Sequence, residues 1–287
     1  MKILVTGAQG QLGLSIRKIE PEYPELSISY TDVEELDITD SRALTAHFEK
    51  NPIDYVVNCA GYTAVDRAEE EEDKAMLINA AAVKNLAECA DTFGFTLIHI
   101  STDYVFSGRH YRPYTEKDEP GPISVYSRSK HAGEQAVINH CKHGIILRTS
   151  WLYSEYGNNF LKTILNLASQ REEIRIIGDQ VGTPTYAGDL ARAILELVHR
   201  NYSKKSLFHF SNEGVASWYD FGVEIVRLSG KKCTVIPIPT EAYPLPAERP
   251  FYSLMSKAEF TGTFRYSIPH WRDSLEKCMN NLKENIL

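Results

Sequence analysis

The sequence predicts an α/β fold, a doubly wound parallel sheet with a smaller C-terminal α/β unit laid across it. Three observations carry that expectation. Short apolar runs rich in β-formers recur at 2–6, 26–31, 54–61, 96–106 and 144–153, alternating with helix-like segments. Runs apolar throughout suit strands buried on both faces, as in parallel sheets. A glycine triplet stands directly between the first run and the first helix, and after Tyr153 the alternation loosens and prolines gather. The expected division is 1–153, plus returning segments of the C-terminal half, followed by 154–287 as the main part of the second unit.

A chain of 287 residues has room for one large domain or two unequal ones. The formal net charge of −7 excludes a general nucleic-acid binder, which needs a basic face to neutralise phosphates. No stretch approaches the roughly 20 apolar residues of a membrane span, so no membrane partner is expected. The chain enters a strand-like run at residue 2, which leaves no room for a signal peptide. Cys59, Cys89, Cys141, Cys233 and Cys278 are scattered without a C-x-x-C pair, the pattern of reduced thiols in the cytoplasm. His140 and His143 flank Cys141, but they read as cations in the last turn of a helix, and no metal site is expected.

Lys2 to Thr6 is the first strand. It feeds Gly7-x-x-Gly10-x-x-Gly13 and then the amphipathic segment Leu14 to Ile19, the context that makes a glycine motif credible. Gly7 permits a tight turn, Gly10 lets backbone approach a pyrophosphate, and Gly13 lets helix and strand pack closely. Phosphates there face the free N–H groups of a helix N-terminus, so this half is Rossmann-like and suited to a dinucleotide. The next strand, Leu26 to Thr31, delivers Asp32 about 20 residues on, where an acid accepts hydrogen bonds from the adenosine ribose. Its charge would repel a 2′-phosphate, which leans the choice from NADPH towards NADH. Thr39 or Asp40 is a plausible cap for the helix that follows.

Asp54 to Gly61 is a buried strand ending in the small residues Ala60 and Gly61, which leave space at the sheet edge where such folds bind ligands. Tyr62 to Asp66 is the loop beyond it. The acidic run Glu69 to Asp73 reads as a solvated helix start. Thr96 to Phe106 is a strand whose carboxyl end carries the hydroxyls of Ser101 and Thr102. Of sixteen tyrosines, only Tyr126 has a lysine four residues on. On a helix Tyr126 and Lys130 share one face, and the ammonium is expected to lower the phenol pKa from about 10 and sharpen it as a proton donor. Gly144 to Tyr153 reads as another central strand. Helices are expected over 159–167, 189–198, 218–228 and 271–285, and a strand over 173–177. Pro237, Pro239, Pro244, Pro246 and Pro250 exclude a central strand or helix around them.

Together these stretches resemble the extended short-chain dehydrogenase/reductase family along nearly the whole chain. General features are the glycine turn, Thr102 and Tyr126-x-x-x-Lys130. A narrower pattern lies in Asn58 to Glu69, Ser101 to Phe106, Arg148 to Trp151, Gly157 to Phe160, Asp179 to Thr185 and Arg249-Pro250. It resembles the branch that reduces dTDP-4-dehydro-6-deoxy-L-mannose to dTDP-L-rhamnose for polysaccharide assembly. The resemblance implies NADPH or NADH as reductant and a dTDP-sugar as partner, in a monomer or homodimer. Tyr126 is then the proton donor, with Thr102 and Lys130 as its catalytic partners. The cofactor side comprises Gly7, Gly10, Gln11, Leu12, Gly13, Asp32, Asp37, Ile38, Ala60, Gly61, Tyr62 and Thr63, with Tyr126 and Lys130. The substrate side comprises Thr63, Val65, Thr102, Asp103, Tyr126, Trp151 and Arg249. Relatives joined by a glutamate-held metal carry a carboxylate just after the glycine turn; Gly13-Leu14-Ser15-Ile16 has none. The competing readings are a sugar-nucleotide epimerase of the same superfamily and a non-catalytic dinucleotide-binding regulatory subunit. Tyr104 after Asp103 leaves a dehydratase's acidic pair incomplete.

Overall fold

The computed structural model describes residues 1–284. Six strands form one parallel sheet: β1 (Lys2–Thr6), β2 (Ser27–Thr31), β3 (Tyr55–Asn58), β4 (Thr96–Thr102), β5 (Gly144–Thr149) and β6 (Ser206–His209), in the order β6-β5-β4-β3-β1-β2. The order reverses between β1 and β3, and open α/β sheets bind ligands beyond the carboxyl ends of such neighbours.

Alternate side chains of these strands feed two separate cores. Ile3, Val5, Val57, Ile98, Ile145 and Leu147 pack under α1 (Gln11–Ile19), which lies on that face with residues from the C-terminal half, Leu190, Ile194, Phe260 and Phe264. Leu4, Val56, Leu97 and Ile146 meet α2 (Ser41–Lys50), α3 (Ala82–Phe93) and α4 (Val125–His140) on the other. Because both faces are covered, a strand with no polar alternation is the stable solution. Asp40 is the cap of α2, its carboxylate accepting from the N–H groups of Arg42 and Ala43. Ser124 and Ser127 form a capping box at the start of α4.

The C-terminal half returns twice to the first face. The helix α6 (Ala187–His199) packs on α1, and α8 (Ala258–Phe264) lies beside β6. A third core, centred on Tyr153, Leu161, Ile176, Phe221 and Trp271, joins α5 (Phe160–Gln170), α7 (Trp218–Ser229) and α9 (Trp271–Glu284). Pro237 lies in a strand, Thr234–Ile238, but one of a two-stranded sheet with Glu173–Ile177, where an edge tolerates its missing N–H.

The structure departs from expectation at several boundaries. The expected strand 96–106 stops at Thr102, whose side chain accepts from Tyr104 N and turns Asp103–Val105 into a single 3₁₀ turn. The strand 144–153 is broken by Trp151, which adopts a left-handed backbone at φ 47. The strand β6 carries no long apolar run, and its pairing with β5 was invisible to periodicity. His143 lies beyond the end of α4, its Nδ1 donating to the Ser203 carbonyl 3.0 Å away. The expected end of the last helix at Asn285 falls outside the described residues. Among the described residues no helix is long and apolar enough to cross a membrane.

Candidate active site

A cavity of about 570 Å³ opens at the carboxyl ends of β1, β3, β4 and β5, at the reversal of strand order. Its floor on one side is the glycine turn. Gly7 has φ +64, and a Cβ there would stand 2.5 Å from Ala60 N, so glycine is required both by conformation and by the approach of β3. At Gly13 a Cβ would meet Ala8 Cα at 2.6 Å. The helix α1 begins after Gly10 with no side chain capping it, and Gly10, Gln11 and Leu12 face the cavity. An uncapped helix N-terminus over a glycine cradle fits an anionic dinucleotide. Gln11 also reaches across, its Oε1 accepting from Ser154 Oγ and Asn159 Nδ2 at 2.9 Å each.

Asp32 is not on the cavity wall. Its carboxylate accepts from Gln9 N at 2.8 Å and from Val33 N at 2.9 Å, bracing the glycine turn. Asp37 is occupied by the Thr39 hydroxyl and N–H, and Ile38 packs in the second core. Ala60, Gly61 and Thr63 line the cavity, whereas Tyr62 is buried beside it with its hydroxyl on Glu71.

Thr102, Asp103, Tyr126, Lys130, Trp151 and Val65 line the same cavity. The helix α4 places Tyr126 and Lys130 one turn apart, but the expected effect of one on the other is overturned. Burial, only partly offset by the Thr102 hydroxyl, pushes the Tyr126 phenol up to about 12. The Lys130 ammonium points away from that task, donating to the Ile100 carbonyl at 2.6 Å. Desolvation draws Lys130 itself down to about 8. Asp103 is 1% exposed, and burial outweighs the pull of the Ser253 and Thr102 hydroxyls to raise it to about 7. Trp151 stacks on Trp218 with ring centroids 3.7 Å apart. Arg249 stands in an adjoining cavity of about 470 Å³ with Arg171 and Arg175, its fork held by Asp66 at 2.7 and 2.9 Å.

Several supports escaped the sequence. Glu134, one turn beyond Lys130, is fully buried and takes both arms of Arg148 at 2.7 Å and the Ser101 hydroxyl at 2.6 Å. That clamp ties α4 to the carboxyl ends of β4 and β5. Its signal was present in the i, i+4, i+8 spacing of Tyr126, Lys130 and Glu134. Asn79, in the π-helical segment Leu77–Ala81, pairs with both backbone groups of Tyr62 and with Ser129 of α4. Glu69 belongs to the acidic run yet accepts from Val125 N at the start of α4. Among the described residues no group of three or more His, Cys, Asp or Glu is arranged to hold a metal ion.

Comparison with known proteins places this geometry in context. A family model described as the RmlD substrate binding domain matches residues 1–284. A crystal structure of a dTDP-4-dehydrorhamnose reductase from Clostridium acetobutylicum superposes with a TM-score of 0.95 at 42% identity, covering 99% of this chain and 100% of that one. The dTDP-4-dehydrorhamnose reductase of Bacillus anthracis, solved in complex with NADP, gives 0.93 at 38%, covering 98% and 99%. The spore coat polysaccharide biosynthesis protein SpsK of Bacillus subtilis is 39% identical over 96% of both chains.

Proposed function

The chain belongs to the RmlD substrate-binding-domain family, and from that premise we propose that it reduces the 4-keto group of dTDP-4-dehydro-6-deoxy-L-mannose to give dTDP-L-rhamnose. The observation that carries this reading is the meeting of Tyr126, Thr102 and Lys130 in one cavity with the glycine turn. NADPH or NADH, when bound, supplies the hydride. Gly10, Gln11 and Leu12 would hold its phosphates, with Ala60, Gly61 and Lys130 along the rest of its length. NADP in the Bacillus anthracis relative supports that assignment.

The chain's own part is to meet the negative charge that develops on the carbonyl oxygen. Tyr126 gives its proton to that oxygen, and Thr102 donates a second hydrogen bond, a contribution of roughly 3 kcal/mol for an oxyanion donor in a buried site. Lys130, within α4 and beneath Gly61, is turned to the Ile100 carbonyl rather than to the phenol, and its part is to hold the cofactor. Val65, Thr63, Asp103 and Trp151 shape the sugar end. Arg249, with Arg171 and Arg175 in the adjoining cavity, supplies positive charge for the diphosphate. The reaction belongs in the cytoplasm, where the five free thiols stay reduced.

The test is oxidation of NADPH or NADH, followed by absorbance, with enzymatically generated dTDP-4-keto sugar. Product identified as dTDP-L-rhamnose is the expected result. No consumption of either reductant overturns the proposal in favour of a non-catalytic dinucleotide binder.

A further inference from the structure

We propose that Asp103 is a positioning residue whose protonation sets where the Thr102 hydroxyl donates, the protonated form being the one competent for reduction. The inference rests on the reductase reading and adds a control within it.

The geometry starts at the end of β4. The 3₁₀ turn tucks Asp103 beneath the cavity, 1% exposed, with its Oδ2 lacking any hydrogen-bond partner. Thr102 Oγ1 donates to Asp103 Oδ1 at 3.1 Å and accepts from Tyr104 N at 3.2 Å. Tyr126 lines the same cavity as Thr102. A hydroxyl has one proton to give and two places to accept, so Thr102 cannot serve all these neighbours in every arrangement.

With Asp103 ionised, a carboxylate can only accept, and the Thr102 proton is committed to it. The Thr102 hydroxyl then points away from the ketone. With Asp103 protonated, its O–H fills the remaining acceptor place on Thr102 instead. The Thr102 proton is then free for the ketone oxygen. The two states differ by one proton on Asp103, which the reduction does not consume.

The groups facing Asp103 are few. Thr102 and the backbone and phenol of Tyr104 belong to its own segment, Ser253 comes from the C-terminal half, and Tyr126 from α4. The Arg249–Asp66 pair faces the Tyr104 ring rather than the carboxyl. Burial therefore dominates, and the ionisation falls at about 7, within the working range of such an enzyme.

The experiment is the pH profile of kcat/KM for the wild-type protein and Asp103→Asn, with the dTDP-4-keto sugar and NADPH. The wild-type rate is expected to fall about tenfold per pH unit above the Asp103 ionisation, as for a single essential proton. An amide cannot change its proton count, so Asp103→Asn loses that basic limb. Turnover without a basic limb, or a limb unchanged in Asp103→Asn, overturns this inference and leaves the reductase reading standing. Absence of turnover at every pH overturns the reductase reading, and this inference with it. Should Asp103→Asn fail to fold, carboxyl ¹³C resonances of labelled aspartate in the wild-type protein decide. One resonance titrating near neutrality supports the inference, and none doing so overturns it.

Discussion

Tyr126 holds its proton to about pH 12 in the resting site, so its value as an acid depends on what it faces. The alkoxide forming at the carbonyl oxygen is a stronger base than a phenolate, and the proton moves as that charge appears. Pre-ionisation by Lys130 is not needed, and the lysine is turned to Ile100 in any case. Tyr126→Phe is expected to lower kcat by about 10²–10⁴-fold while NADPH binding, read by titration, stays within a factor of a few. Lys130→Met should lower both turnover and cofactor affinity; loss of neither removes it from the site. The motif Tyr126-x-x-x-Lys130 was legible because helical spacing alone puts the two on one face. The direction of their pKa shifts was not, since it depends on burial, which no local spacing encodes.

At the scale of elements, the Glu134–Arg148 pair fixes where α4 sits over the sheet. Burial opposes ionisation of Glu134, but the hydrogen bonds from Arg148 and Ser101, with His131 3.5 Å away, win and hold its carboxyl below the usual range. Its contribution to stability is therefore present above its ordinary value near 4.5 and is lost as pH falls below that. Glu134→Gln leaves Arg148 buried with one arm poorly paired, and removal of one partner from a buried pair costs about 3–5 kcal/mol. Urea denaturation at neutral pH should show that loss, and the gap from wild type should narrow in acid. The strands β1, β3, β4 and β5 were readable as apolar runs because both faces of the sheet are covered. The strand β6 was not, because Ser206–His209 gains its place only by pairing with β5, a contact some 60 residues distant in sequence. The turn at Asp103 escaped for a similar reason: Thr102 caps it locally and ends a run that hydropathy alone would extend.

At the scale of the whole molecule, the described residues hold three large cores and two small clusters, and the third large core belongs mainly to the C-terminal half. Trp271 is 1% exposed at the start of α9 and packs edge-on to Phe221. Trp271→Ala is expected to cost about 3–5 kcal/mol, seen as a lowered melting temperature. The damage should register in KM for the sugar more than in cofactor affinity, because the glycine turn lies on the first core. Of the candidate site, the residues on strand ends and on α4 were legible from motifs. Those contributed by packing, Asn79 against Tyr62 and Glu69 against Val125, were not, for each acts across 17 to 56 positions of chain.

The stacked indoles of Trp151 and Trp218 have a spectroscopic use. Only three tryptophans exist in the chain, and two of them form one wall of the cavity. A nicotinamide or nucleotide-sugar settling beside them changes their solvation and offers an acceptor for their excited state. Native emission, with no dye attached, should therefore dim or shift as each ligand is titrated in. In Trp271→Ala that whole signal would come from the cavity wall.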